Sequence, residues 1–196
     1  LTYRTPWELL VAVILSAQCT DVRVNLGTPE LFKKYPTVQD VANAVPEEFE
    51  QAIKSTGFYH AKAKNILATA RLIIEKFGGE VPRTMAEILT LPGVARKTAN
   101  VVLGNAYGVV EGIAVDTHVL RISQRLRLVD LEKIGGKKVV YVKREMNFAS
   151  TKRSSRLQSA PIIDFKKDAD PVKIERELMA VLPREQWFAT TYRIVD

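Results

Sequence analysis

Two residues of this chain, Lys97 and Asp116, have side chains whose chemistry and local sequence suggest a reaction. Lys97 lies at the start of a predicted helix, where acidic side chains are the favoured charges. A lysine at such a position is either an exposed solubilising residue or one whose amine has a function. Asp116 precedes another predicted helix, where aspartate is a favoured N-cap.

The sequence around Lys97 predicts a helix–hairpin–helix. A short helix is expected over residues 85–90, a Leu-Pro-Gly-Val-Ala turn over 91–95, and a second helix over 95–106. The N–H groups of the turn and of the next helix's first turn lack helical partners and can hold a phosphate. Such contacts hold a nucleic-acid backbone without reading its sequence. Taken alone, the pattern is equally compatible with an ordinary helical hairpin in a protein core.

The elements that must position these residues are predicted to be helices almost throughout. Thr5-Pro6-Trp7-Glu8 is typical of a capping box with proline at the first helical position, and the apolar residues 9–15 predict a helix buried on all sides. Thr28-Pro29 predicts a new helix start. Further helices are expected from about residue 37, over 46–57, 60–77, 117–126, 172–182 and 184–195. We therefore predict an all-α fold class, with strand character only in residues 137–145.

Composition excludes several classes of protein. The longest apolar run, residues 9–15, is far too short to span a bilayer, and no secretory segment opens the chain, so we expect a soluble, intracellular protein with no membrane partner. A single cysteine, Cys19, excludes an intrachain disulfide and any multi-cysteine zinc or iron–sulfur site within these residues. With only two histidines besides, His60 and His118, no metal site is expected.

The net charge of +7 comes from one segment. Residues 131–167 contain ten Lys or Arg and three Asp or Glu, whereas the positive and negative charges of the remaining chain cancel. A basic segment of this kind either binds a polyanion or is a solvated flexible loop, and the sequence does not decide between them.

Four ordered stretches resemble the endonuclease III family of DNA glycosylases, within the helix–hairpin–helix glycosylase superfamily. They are ELLVAVILSAQCTD at 8–21, STGFYHAKAKNI at 55–66, LPGVARKTANVVL at 91–103 and IAVDTHVLRI at 113–122. The similarity covers residues 6–125 and resumes near 172. It implies two helical subdomains flanking a DNA-binding cleft: a six-helix barrel-like domain with the hairpin at 6–112, and a second domain of 1–5 plus 113–196 that includes the basic insertion at 131–170.

The resemblance also implies an activity, that of a base-excision-repair glycosylase and AP lyase acting on oxidised pyrimidines in duplex DNA. The lysine at the position of Lys97 would attack the sugar C1′, displace the base and form a Schiff base that permits β-elimination. We expect burial and the positive helix end to favour its uncharged amine. Asp116 matches the catalytic aspartate. The implied partner is duplex DNA with a damaged or abasic nucleotide, bound by a monomer in the cytoplasm or nucleoid.

By the same resemblance, several residues are expected to contact DNA. Gln18 would enter or border the space left by the flipped nucleotide, and Phe58 would wedge into the opposite strand. Their alternatives are a helix-end glutamine and a core aromatic residue. The full set of expected DNA-binding residues is Gln18, Phe58, Leu91, Gly93, Ala95, Arg96, Thr98, His118 and Arg121. His118 could equally be a structural histidine, and the two arginines ordinary surface residues.

The chain departs from the family pattern at three places. Ala95 occupies the second glycine position of the usual Gly-Val-Gly hairpin, and we expect it to be helical already, with Gly93 turning the chain. The connection between Leu128 and Pro171 is longer than usual. The family's four-cysteine [4Fe–4S] loop is absent from these residues, so we expect no cofactor unless cysteines lie beyond Asp196.

Two other classes of activity remain alternatives. Relatives with similar motifs remove thymine or uracil from mispairs, and a non-catalytic helix–hairpin–helix module would bind DNA without reacting. A helical protein-interaction domain is a weaker third. The Lys97–Asp116 pair favours an enzyme, because a protein that only binds DNA needs no such pair.

Overall fold

The computed structural model describes residues 1–142 and 163–195 of the 196-residue chain. The described residues form ten α-helices, two 3₁₀ helices and two short β-strands, which confirms the predicted all-α class and adds a small sheet. The chain falls into two compact units, Leu1–Ala114 and Val115–Asp196. None of the helices in the described ranges is long and apolar enough to cross a lipid bilayer.

The first unit contains seven α-helices. They are α1 (Pro6–Ser16), α2 (Asp21–Lys34), α3 (Val38–Ala42), α4 (Pro46–Ile53), α5 (Tyr59–Phe77), α6 (Met85–Ile88) and α7 (Arg96–Tyr107), with a 3₁₀ helix (Lys54–Thr56) after α4. As predicted, Thr5 Oγ1 accepts a hydrogen bond from the Glu8 N–H (3.1 Å) at the start of α1. Residues 9–15 are all buried, and α1 packs against α2, α5 and α7. Burying each large aliphatic side chain contributes about 1.5–3 kcal/mol, so α1 forms the centre of this core.

The predicted helix start at Thr28 is wrong, because α2 continues without a break through Pro29. Thr20 already caps this helix, and Val24, Thr28 and Leu31 are buried along one of its faces. Proline removes one backbone hydrogen bond from a helix interior. The buried face continues past the proline and stabilises the helix across it.

α5 is the longest helix of the first unit and is bounded by two left-handed residues, Phe58 and Gly78. Its buried face includes Ile66, Ala70 and Ile73, at the spacing that the sequence predicts. α3 and α4 both pack against it. α5 therefore provides a rigid support for the loops around it.

The second unit is built on one helix that carries a small sheet. Its elements are α8 (Thr117–Arg125), β1 (Val139–Tyr141), β2 (Ile163–Lys166), α9 (Pro171–Val181), a 3₁₀ helix (Arg184–Gln186) and α10 (Trp187–Val195). β1 and β2 are antiparallel, with Val140 opposite Phe165. The side chain of Gln124 in α8 donates to Lys166 O (3.1 Å) and accepts from the Lys166 N–H (2.7 Å), which fixes β2 on the helix.

β1 confirms part of the strand predicted over residues 137–145, whereas its partner β2 was not predicted. The insertion predicted at 131–170 is described at both ends. Residues 143–162 lie outside the described part of the chain. The predicted flexibility of the insertion concerns these residues and stays a prediction.

Residues 1–5 lie in the first unit, although the sequence prediction placed them with the second domain. The Thr2 N–H donates to Asn25 Oδ1 (2.9 Å) and the Tyr3 hydroxyl donates to Asn105 O (3.4 Å). These bonds hold the N-terminal segment against helices of its own unit. The division into domains at 6–112 and at 1–5 plus 113–196 stays a prediction.

Candidate active site

The hairpin before Lys97 is a tight turn between α6 and α7. Leu91 and Val94 are buried, and the Val94 N–H donates to Leu91 O (3.2 Å). Pro92 and Gly93 occupy the two central positions of this turn, and Gly93 has φ +76°. Proline followed by a residue with positive φ is typical of a type II turn. Gly93 therefore turns the chain, as predicted.

Ala95 is the N-cap of α7 and has an extended backbone (φ −91°, ψ 170°), so the prediction that it is already helical is wrong. Any residue adopts this conformation, so alanine replaces the family's glycine without backbone strain. Ala95 has no side-chain oxygen and makes no side-chain cap. Its side chain therefore satisfies neither the Lys97 N–H nor the Thr98 N–H, and an anion can take that place.

Lys97 is the second residue of α7, and its side chain is exposed rather than buried as expected. The opposite face of α7 is fixed in the core by Ala99, Val102 and Leu103, and the helix packs against α1. Arg96 and Thr98, on either side of the lysine, are half-buried. The amine thus extends from a firmly held backbone at a positive helix end.

α5 supports the hairpin through two polar side chains that the sequence prediction missed. Thr69 Oγ1 donates to Pro92 O (2.9 Å). The side chain of Asn65 lies against Gly93, so closely that a Cβ atom there would be 2.8 Å from Asn65 Nδ2. Both residues lie on the helix immediately beside its apolar stripe, and only the structure shows what they touch.

Gln18 and Phe58 both have left-handed backbones, with φ of +53° and +50°. Gln18 is exposed in the turn after α1, where the Cys19 N–H donates to Ser16 O (3.0 Å). Phe58 is the N-cap of α5 and 68% exposed, so it is not a core aromatic residue. Left-handed non-glycine residues cost about 1–3 kcal/mol each and concentrate at ligand-binding and active sites.

Lys62 is a buried lysine beneath these two loops. It is 5% exposed, and its Nζ donates to Leu15 O and Thr56 O, both at 2.8 Å. Burial lowers the pKa of the Lys62 ammonium, because desolvation penalises its charged form. The sequence holds a signal for this residue: Lys62 lies four positions before Ile66, in line with the apolar stripe of α5.

In the second unit, Asp116 is the N-cap of α8. Its Oδ1 accepts from the His118 N–H (2.9 Å) and the Val119 N–H (2.8 Å), so the predicted cap exists. Oδ2 makes no hydrogen bond to the described residues, which leaves half of the carboxylate available. Arg121 Nη2 lies 3.5 Å from His118 Nδ1, and the buried Arg121 Nε has no hydrogen-bond partner among the described residues.

The described residues contain no group of three or more His, Cys, Asp or Glu side chains that could hold a metal ion. The sequence has one cysteine, half-buried Cys19. A four-thiolate cluster therefore does not fit the residues present.

Comparison with known proteins gives a family. Residues 11–144 match the family model described as HhH-GPD superfamily base excision DNA repair protein. The chain is 46% identical over 187 residues to endonuclease III of Synechocystis sp., covering 95% of this chain and 68% of that protein. It is 41% identical over 195 residues to endonuclease III of Bacillus subtilis, covering 100% and 72%.

The fold is similar to that of a solved endonuclease III structure. That structure is described as a trapped endonuclease III–DNA covalent intermediate in an estranged-adenine complex. The similarity has a TM-score of 0.77 at 40% identity, and it covers 100% of this chain and 74% of that one.

Proposed function

Because this chain belongs to the endonuclease III family of HhH-GPD base excision repair proteins, we propose that it removes oxidised pyrimidines from duplex DNA with Lys97 as its nucleophile. It is a DNA glycosylase with AP lyase activity. The observation that carries the assignment of Lys97 is its place as the second residue of α7, exposed and directly after a turn without a side-chain cap.

The chemistry needs a free amine beside a bound backbone. Lys97 Nζ attacks C1′ of the damaged nucleotide, the C1′–N bond breaks, and the base leaves with the bonding electrons and takes up a proton. After the amine has lost a proton, the C1′–O4′ bond breaks, O4′ takes up a proton, and the nitrogen forms the C1′=N bond of a Schiff base. Loss of a C2′ proton expels the 3′ phosphate, which cleaves the strand.

Asp116 has two compatible roles in this scheme. One carboxylate oxygen caps α8, while the other makes no hydrogen bond to the described residues. That oxygen can stabilise the positive charge that develops at C1′ as the base leaves, and it can accept a proton from the attacking amine.

DNA binding follows from the hairpin and from the two exposed loops. The N–H groups of Lys97 and Thr98 are suited to bind one backbone phosphate, because the methyl side chain of Ala95 cannot accept hydrogen bonds from them. Gln18 and Phe58, held in left-handed conformations, are suited to fill the space that the flipped nucleotide leaves. We also assign a phosphate contact to Arg121, on the helix that Asp116 caps.

The four-cysteine cluster of the family takes no part in this proposal. The single cysteine of these residues cannot supply its ligands, and neither the attack at C1′ nor the β-elimination uses it.

Borohydride trapping tests the proposal. We expect wild-type protein to release the base from a thymine-glycol duplex and to form a covalent adduct in the presence of borohydride. Lys97→Ala should bind the same duplex and give no adduct, whereas Lys76→Ala, which changes an exposed lysine on α5, should react normally. A folded wild-type protein that binds DNA but gives neither adduct nor base release would identify a non-catalytic module instead.

A further inference from the structure

We propose that Lys62 is a positioning residue for lesion binding, which sets the two loops that carry Gln18 and Phe58. The inference rests on the proposed function, in which these side chains enter the damaged duplex. It concerns a residue that takes no part in the chemical steps at Lys97.

One ammonium joins two loops that are distant in sequence. Lys62 Nζ donates to Leu15 O, 47 positions away, and to Thr56 O, both at 2.8 Å. Leu15 is in the last turn of α1, just before Gln18, and Thr56 is the last residue of the 3₁₀ helix before Phe58. Lys62 therefore fixes the position of one loop relative to the other.

The energetics make this link strong. A buried ammonium is costly unless it is hydrogen-bonded. Leu15 O lies at a helix C-terminus, where carbonyl groups lack helical partners and the dipole is negative. Lys62 satisfies this carbonyl and that of Thr56 while meeting its own need for acceptors. Without Lys62, the carbonyl groups of Leu15 and Thr56 would need water as a hydrogen-bond donor. The two loop ends would then move apart until water reaches these groups.

Both loops that Lys62 joins also contain a residue with a strained backbone. Left-handed conformations persist at non-glycine residues only where the surroundings enforce them. On one side, Thr56 is 4% exposed, and its hydroxyl donates to Ile53 O (2.8 Å), which holds the end of the 3₁₀ helix. On the other side, the bond from Lys62 holds the last turn of α1. Gln18 and Phe58 thus keep their conformations in the free protein, before DNA arrives.

A lysine that merely stabilises the fold would behave differently in a binding measurement. Its loss would lower the melting temperature, but the folded fraction would still distinguish damaged from undamaged DNA. Loss of a positioning residue reduces that preference even when folding is complete. The ratio of the two affinities therefore separates the roles.

The test compares binding to two duplexes of one sequence, undamaged or with a tetrahydrofuran abasic site opposite 2-aminopurine. For Lys62→Met we expect the affinity ratio to fall about tenfold or more, since small misplacements cost this much. The 2-aminopurine fluorescence change on binding should be lost as well. Lys62→Arg, which keeps a cationic donor, should restore most of the ratio. Lys64→Met, an exposed lysine on the same helix, is the matched control and should leave both readouts unchanged.

A double-mutant cycle adds a readout that a structural role would not move. Residues that act as a unit give non-additive effects. In a Gln18→Ala, Phe58→Ala background, Lys62→Met should therefore change the affinity ratio by less than about twofold. An additive effect would contradict the inference.

Melting curves establish that each variant is folded at the assay temperature. If Lys62→Met is not folded, Lys62→Gln is used instead. Its side chain is shorter than that of lysine and should also reduce the affinity ratio. An unchanged ratio in the folded Met or Gln variant, while wild type prefers the abasic duplex, would overturn the inference alone. A wild-type protein without any such preference would contradict the proposed function and the inference together.

Discussion

The side chain of Asn65 fills the space that a side chain at position 93 would need. A Cβ atom on Gly93 would be 2.8 Å from Asn65 Nδ2, and Gly93 has φ +76°. The turn before Lys97 therefore requires glycine both for its conformation and for the close approach of α5. This contact joins the turn before Lys97 to α5, the helix that carries Lys62.

Gly93→Ala should destabilise the protein and weaken DNA binding. The left-handed conformation alone costs about 1–2 kcal/mol for alanine, and the contact with Asn65 adds to this. Urea unfolding measures the change. In the double variant with Asn65→Ala, the unfolding free energy should recover only the part lost through the steric contact with Asn65. Equal unfolding free energies for wild type and Gly93→Ala would contradict the turn geometry.

Ala95→Ser should separate stability from DNA binding. A serine N-cap accepts a hydrogen bond from the first turn of α7 and should raise the unfolding free energy by about 0.5–2 kcal/mol. The same bond would occupy an N–H group that we assign to phosphate, so affinity for DNA should fall. Ala95→Gly, which adds no acceptor, is the control and should bind as wild type does. A serine variant that is more stable and binds equally well would show that these amides do not hold DNA.

The helices with strong local signals could be predicted from sequence. Thr5 and Pro6 determine where α1 begins, and the apolar residues 9–15 determine that it is buried. Gly93 as the turning residue follows from the hairpin pattern in the same way. These features depend on neighbours within a few positions, which a sequence displays directly.

The features that sequence did not predict depend on distant partners. α2 continues through Pro29 because its face is buried by other helices, and β2 exists because Gln124 and β1 provide hydrogen bonds. The sequence shows that Lys62 lies in line with the apolar stripe of α5 and Asn65 beside it, but it does not show their contacts with Leu15 and Gly93. Tertiary contacts of this kind override local propensity.

Asp116→Asn and Asp116→Ala should separate the cap of α8 from catalysis. Asparagine caps a helix about as well as aspartate, so Asp116→Asn should keep the wild-type unfolding free energy, whereas alanine should lose about 0.5–2 kcal/mol. Both variants should lose activity, by about tenfold or more, because neither has a carboxylate. Single-turnover base release and thermal melts provide the two measurements. If Asp116→Asn kept full activity, the carboxylate would be a helix cap only.

Replacing residues 143–162 with a short turn should test the basic insertion. This segment contains five Lys or Arg and one Glu. Its flanks are held independently: Tyr141 pairs with Ile163, and Asp164 accepts from both Arg125 Nε (3.0 Å) and Nη2 (2.7 Å). The fold should therefore survive the replacement.

If the segment binds phosphates, the slope of log affinity against log salt should become shallower by about 0.9 for each phosphate that the variant no longer neutralises. A full-length variant with the five basic residues changed to serine controls for loop length and should show the same decrease. An unchanged slope in both variants would make this segment a solvated loop.

The residue that carries the covalent adduct tests the central claim most directly. After borohydride trapping on an abasic duplex, nuclease and trypsin digestion should leave a sugar-phosphate remnant on one lysine. Trypsin does not cleave after a modified lysine. If the adduct is on Lys97, mass spectrometry should detect modified peptide 97–121 in place of unmodified peptide 98–121. A remnant on any other lysine, with peptide 98–121 unmodified and complete, would contradict the assignment of Lys97 as the nucleophile.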